Sequence, residues 1–181
     1  MKISQDALVL IDIQEGFNEP VWGKRNDGDF SKNISRLLES WRSSNLPVIH
    51  VQHISEIHNS PLRAGQPGVD FMAFAKPQAN ELVIPKKVNS AFIGTPLEFW
   101  LRRWEIRRVI LAGISTDHCV STTARMGANL GFKMVVVSDA TFAFERKLPD
   151  GKTFSSEMVH AVSLATLTNE FAEILATGEI T

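Results

Sequence analysis

Residues Arg108–Asp139 read RVILAGISTDHCVSTTARMGANLGFKMVVVSD. The apolar run RVILAG is a buried strand, Asp117 to Leu130 has the composition of a helix closed by Gly131, and KMVVVSD is a second buried strand. Two apolar strands joined by a helix must run parallel, with a right-handed crossover. The same alternation extends in both directions. ALVLI (Ala7–Ile11), PVIHVQH from Val48 and LVIPK before Lys87 are further strands. A helix capped by Ser31 places Ile34, Leu37, Leu38 and Trp41 on one face, and TPLEFWLRRW begins a helix with Thr95 as cap, Pro96 at its first position and Glu98 completing a capping box. A helix over about Ser155 to Leu167 and a last strand in FAEILAT complete the chain. The expectation is one α/β domain over residues 1–181, a doubly wound parallel sheet between layers of helices.

Composition narrows the function. A net charge of -1 offers no basic surface for nucleic acid or an anionic membrane. The N-terminal apolar run is too short to span a bilayer and is interrupted by Asp12. One cysteine in 181 residues permits no intrachain disulfide, which fits a reducing, cytoplasmic setting.

In parallel sheets of this kind ligands bind beyond the carboxyl ends of the strands. Asp12 follows the first strand, Lys86 the third, and Cys119 the fourth, so all three belong to one edge. Asp12 sits in an apolar run, where a carboxylate requires a partner. Lys86 and its neighbour Lys87 are both candidates. Cys119 lies at a strand-to-helix turn whose free N–H groups favour a thiolate and an oxyanion, although a lone cysteine is also a common core residue. Thr116 and Asp117 have a simpler reading as capping and first-turn residues. His118 is adjacent to Cys119 but points about 100° away on a helix, which makes it a neighbour rather than the base. His50 and His53 fall on opposite faces of a strand, a poor metal pair.

Three segments in order, LVLIDIQEGF, KKVNSAFIGTPLE and VILAGISTDHCVSTTARMGANLGFKMVVVSDAT, resemble the isochorismatase-like cysteine hydrolases over nearly the whole chain. The resemblance implies a six-stranded parallel sheet in the order 3-2-1-4-5-6. It implies a catalytic triad of Asp12, Lys86 and Cys119, with Lys86 rather than Lys87 at the matching distance before Ser90. It also implies a cis peptide between Ile114 and Ser115 and an oxyanion hole made by the N–H groups of Ser115 and Cys119. The activity it implies is hydrolysis of a small amide, carbamoyl or lactam-like substrate through a thioester, with no cofactor and no metal. The metal-binding Asp-x-His of the family's nicotinamidases is missing from HVQHISEIH, and Cys119 separates the chain from isochorismatases, which lack it. Ether or ester hydrolysis without the cysteine, and small-molecule binding without catalysis, are the alternatives.

Gln14 belongs to the first matching segment and, with Phe17, Trp22, Arg63 and Phe92, is a candidate for the substrate pocket. Arg63 could meet a substrate carboxylate or simply be solvated. Phe17, Trp22 and Phe92 could wall the pocket or pack the loops. The segment Phe142 to Phe154 lies at subunit contacts in the family, which implies a homodimer or homotetramer.

Overall fold

The computed structural model describes residues 5–181. Six strands form one parallel sheet: β1 (Asp6–Ile11), β2 (Val48–His53), β3 (Leu82–Lys86), β4 (Arg108–Ile114), β5 (Lys133–Phe142) and, last in the chain, β8 (Glu173–Leu175). Their order is β3-β2-β1-β4-β5-β8, every pair parallel. With the last strand counted as the sixth, this is the doubly wound order 3-2-1-4-5-6. A short antiparallel hairpin, β6 (Arg146–Lys147) with β7 (Thr153–Phe154), stands apart from the sheet.

Alternate residues of the strands feed two cores. Leu8, Leu10, Ile110, Ala112, Val135 and Val137 face α1 (Phe30–Ser43), which buries Ile34, Leu37, Leu38 and Trp41 against them. Ala7, Val9, Ile11, Val109, Leu111 and Val136 face the other way, onto α2 (Leu97–Arg103) and α3 (Ser121–Asn129). Strands covered on both faces explain why the sequence shows unbroken apolar runs rather than alternation. α4 (Ser156–Ala165) completes the chain's helices, with Ser155 as N-cap accepting from the Met158 N–H.

Several local readings change. Ser31 lies inside α1, whose N-cap is Asp29, because Phe30 already turns onto the Asp27 carbonyl. The capping box at α2 does not form: the Thr95 hydroxyl donates to the Ala91 carbonyl and accepts from Leu97 N–H, while Glu98 pairs with Arg102 at 2.8 Å. The helix expected from Asp117 starts with a wide turn over Thr116–Val120, closed by Val120 N–H on the Ser115 carbonyl, before α3 proper. β5 runs on to Phe142, past a register shift against β4 between Leu111 and Gly113. No helix among the described residues is long and apolar enough to cross a membrane.

Two features frame the carboxyl edge. Sheet order reverses between β1 and β4, and there the strands approach so closely that a Cβ on Gly113 (φ 130°) would collide with the Ile11 carbonyl. At the opposite end of the sheet, Glu81 joins Arg42 of α1 (2.7 Å) to His50 of β2 (2.9 Å) and accepts from Gln78 N–H. Burial raises the Glu81 carboxyl, but the Arg42 guanidinium, the Gln78 N–H and His50 outweigh it and bring the carboxyl down from 4.5 to about 2. A depressed carboxyl contributes stability that is complete above its unfolded value and is lost as pH falls towards its folded one. Glu81→Gln is therefore expected to lower the melting temperature at pH 7 and to flatten its decline between pH 4.5 and 2. Parallel wild-type and variant curves across that range would refute the assignment.

Candidate active site

β1 ends on Ile11, and the next residue turns sharply. Asp12 has φ 54°, the left-handed region that Asp and Asn enter more readily than other side-chain-bearing residues. Its N–H is held by the Val51 carbonyl and its own carbonyl takes Gln14 N–H. Such a backbone persists only where its surroundings enforce it, and it turns the carboxylate away from the strand. Lys86 closes β3 in register with His53, the last residue of β2. Its stem crosses the end of β2 and brings the ammonium to β1. Cys119 comes from the wide turn after β4, and the peptide bond Ile114–Ser115 before that turn is cis.

The three groups meet. Lys86 Nζ is 2.7 Å from Asp12 Oδ2 and 3.2 Å from Cys119 Sγ, and it donates to His53 Nδ1 at 3.0 Å. The Asp12 and Lys86 side chains have no solvent exposure, and Cys119 is 8 % exposed. The Lys86–Asp12 contact is short but oblique. Neither Asp12 oxygen has a directed hydrogen-bond donor among the described residues.

Burial raises the Asp12 carboxyl above the ordinary carboxylate range, against the opposing pull of Lys86 and the Cys119 contact. Burial, and after it the Asp12 charge, push the Cys119 thiol up as well, with Lys86 opposing. This corrects the expectation of a thiolate favoured by the turn's N–H groups. Desolvation pushes the sulfur towards the thiol, beside a carboxyl that burial raises above its ordinary range. Burial and the Lys86 charge hold His53 down to about 4, so its ring is neutral.

Asp12, His53 and Cys119 offer ligand atoms within 4.8 Å of one another. Lys86 Nζ touches all three, so the ammonium stands where a metal ion would have to sit. His50 is turned away to Glu81. His118 faces Asp117 at 3.4 Å, while Asp117 accepts from Ser115 Oγ (2.8 Å) and Arg146 Nε (2.7 Å). Lys87 is exposed and pairs with Glu56.

The remaining pocket candidates are placed as follows. Gln14 is fully buried, and its amide spans His53 N–H, the His53 carbonyl and the Val69 carbonyl, tying the loop before residue 70 to β2. Phe17 packs on Trp22 (5.1 Å) and Phe144, and the Trp22 indole donates to the Gly16 carbonyl. Phe92 stacks on Phe132 inside the core under α3. Arg63 is exposed and meets His58 at 3.3 Å. These contacts brace loops and core.

His53 is the site residue that sequence reasoning misses, since its spacing from His50 tests only for a metal pair. Its signal was its place at the carboxyl end of β2, between the strands that carry Asp12 and Lys86.

Fold and site together define a doubly wound α/β protein with its polar groups gathered at the switch point of the sheet. The Isochorismatase domain family matches residues 6–179. The chain is 42 % identical over 174 residues to the uncharacterized isochorismatase family protein YrdC of Bacillus subtilis, covering 96 % of this chain and 93 % of that one. A crystal structure of an isochorismatase-family protein from Chromobacterium violaceum superposes with a TM-score of 0.94 at 39 % identity, covering 99 % of this chain and 93 % of the other. Ureidoacrylate amidohydrolase RutB of Pseudomonas savastanoi is 26 % identical over 176 residues, covering 78 % of this chain and 72 % of its own. The chain belongs to the isochorismatase family and is one of its hydrolases.

Proposed function

We propose that the protein hydrolyses the C–N bond of a small amide, carbamoyl or related substrate through a thioester on Cys119. The observation that carries this reading is the buried contact of one ammonium with both a carboxylate and a thiol, 2.7 and 3.2 Å away. A thiol and a base side by side, with a fixed cation, are the parts of an activated nucleophile. The amidohydrolase activity named for RutB supports the same bond type at greater distance.

Asp12 accepts the thiol proton as sulfur attacks the carbonyl carbon, forming the C–S bond and a tetrahedral oxyanion. The N–H groups of Ser115 and Cys119, at the turn after β4, receive that oxyanion, since the first N–H groups of a helical segment lack acceptors within it. Lys86 neutralises the negative charge wherever it resides, on carboxylate or on sulfur. The C–N bond then breaks, and protonated Asp12 supplies the proton with which ammonia or an amine leaves. Water attacks the thioester and gives its proton to Asp12. The C–S bond breaks, the acid departs, and sulfur regains its proton. A carboxyl raised by burial suits this alternation of base and acid. The 8 % exposure of Cys119 favours small substrates.

The test is a panel of small primary amides, ureido compounds and lactams, scored by ammonia or amine release. Acid-quenched reactions are then measured by intact mass. The expected result is turnover of at least one compound, with an acyl adduct that maps to Cys119. Turnover that persists undiminished in Cys119→Ala would overturn the thioester route and favour ether or ester hydrolysis by Asp12 alone.

A further inference from the structure

The carboxylate that must take the thiol proton lies 2.7 Å from the Lys86 ammonium, an arrangement that ordinarily makes a carboxylate a poor base. A directed hydrogen bond from Lys86 would weaken it further. The 2.7 Å contact is poorly aligned for one: both Asp12 oxygens are buried without a well-directed donor, while Lys86 Nζ stands in hydrogen-bonding geometry to His53 Nδ1 (3.0 Å) and Cys119 Sγ (3.2 Å).

An ammonium has no lone pair, so at this contact Nδ1 of His53 is the acceptor and the neutral ring carries its proton on Nε2. The ring is well placed to hold this role. The His53 N–H and carbonyl are both clamped by the Gln14 amide, and His53 is in register with Lys86 across the β2–β3 ladder. The polar groups facing Asp12 are Lys86 from β3, His53 from β2 and Cys119 from the turn after β4.

We propose that His53 is a positioning residue that, with Cys119, orients the Lys86 ammonium so that its N–H bonds are poorly aligned with Asp12, and so keeps the carboxylate a competent base. The cation then contributes its charge to the site without tying up the oxygen that must accept the thiol proton. Gln14 serves the same end one step removed, by fixing the backbone from which His53 reaches Lys86. The inference rests on the Cys119 thioester reading for its catalytic meaning, although its physical core, the basicity of Asp12, stands by itself.

The test follows the Asp12 carboxyl directly by 13C NMR titration, assigned with Asp12→Asn, in wild type and in His53→Leu, His53→Gln and His53→Asn. Leu offers no acceptor, and Gln reaches the place of Nε2 rather than Nδ1. In both, Lys86 is expected to turn to Asp12 and the carboxyl midpoint to fall by about one pH unit. Asn, whose Oδ1 replaces Nδ1, is expected to restore it. With an amide from the panel, kcat of the Leu and Gln variants should fall about tenfold with KM within about twofold, and the acid limb of the rate profile should move to lower pH.

An Asp12 midpoint that stays put in both Leu and Gln variants would overturn the proposal. So would a rise in KM with kcat unchanged, which would make His53 a substrate contact. If the midpoint moves as expected but the wild-type protein turns over no amide, the positioning role survives and the amidase reading is what fails. The Gln and Asn variants keep the comparison available if Leu at this half-buried position does not fold.

Discussion

Asp12→Asn is expected to reduce amide hydrolysis by about a thousandfold or more while making Cys119 more reactive towards iodoacetamide. The two effects have one cause. In the proposed reaction Asp12 is the base for the thiol proton, and an amide cannot replace it. At rest, however, the Asp12 charge is one of the forces that holds the Cys119 thiol up. Replacing the carboxylate by a neutral amide leaves the Lys86 ammonium, 3.2 Å from sulfur, as the nearest charge. The thiolate becomes more accessible, and alkylation is expected to accelerate and to begin at lower pH. Asn keeps the side-chain shape and tolerates φ 54°, so the turn after β1 should survive. The measurements are kcat/KM on an amide from the panel and the pH dependence of alkylation, followed by mass. Slower alkylation in the variant would mean that the carboxylate activates the resting thiol rather than holding it protonated.

Lys86→Met carries the largest expected effect on stability. Its side chain and that of Asp12 are both excluded from solvent. Removing one member of a buried pair leaves the other charge uncompensated, at about 3–5 kcal/mol. For a chain of this size that corresponds to a fall in melting temperature of about 10 °C. The penalty should depend on pH. Without the ammonium, burial raises Asp12 with only the Cys119 contact opposing it, so its folded value lies above its unfolded one. A group raised in this way supports folding below its unfolded value and loses that contribution as pH rises through the folded one. The variant should therefore approach wild type near pH 4 and diverge from it at pH 7. Asp12→Asn combined with Lys86→Met should recover much of the lost stability, because no buried charge is left alone. Thermal melts of the four proteins close the cycle, and simple additivity of the two single losses would show that the groups are not coupled.

The parallel sheet was legible because its strands are buried on both faces and therefore appear as continuous apolar runs. Its polar residues were legible for the same reason. Asp12 stands out within LVLIDIQ because burial makes an unpaired carboxylate costly, and Cys119 stands out as the lone thiol at a strand-to-helix turn. Helix starts were read less well at Ser31 and Thr95, where side chains able to cap were present but the backbone found other acceptors. Capping is a local preference of about a kilocalorie, and tertiary packing readily overrides it. The aromatic residues Phe17, Trp22 and Phe92 carried no signal to separate a pocket wall from loop packing, since both bury the same surface.

By itself, the sequence determined the class of fold and placed Asp12, Lys86 and Cys119 at one edge of the sheet, because periodicity and burial are written into residue order; the choice of Lys86 over Lys87 came from the family resemblance. Only the tertiary structure decided how those residues work on one another. That Lys86 reaches over β2 to Asp12 depends on strand register. That His53 accepts from Lys86 depends on the same ladder. That Cys119 rests as a thiol depends on desolvation at the closed switch point, where burial acts on every charge at once. Register and desolvation are through-space quantities, set when strands far apart in the chain come together.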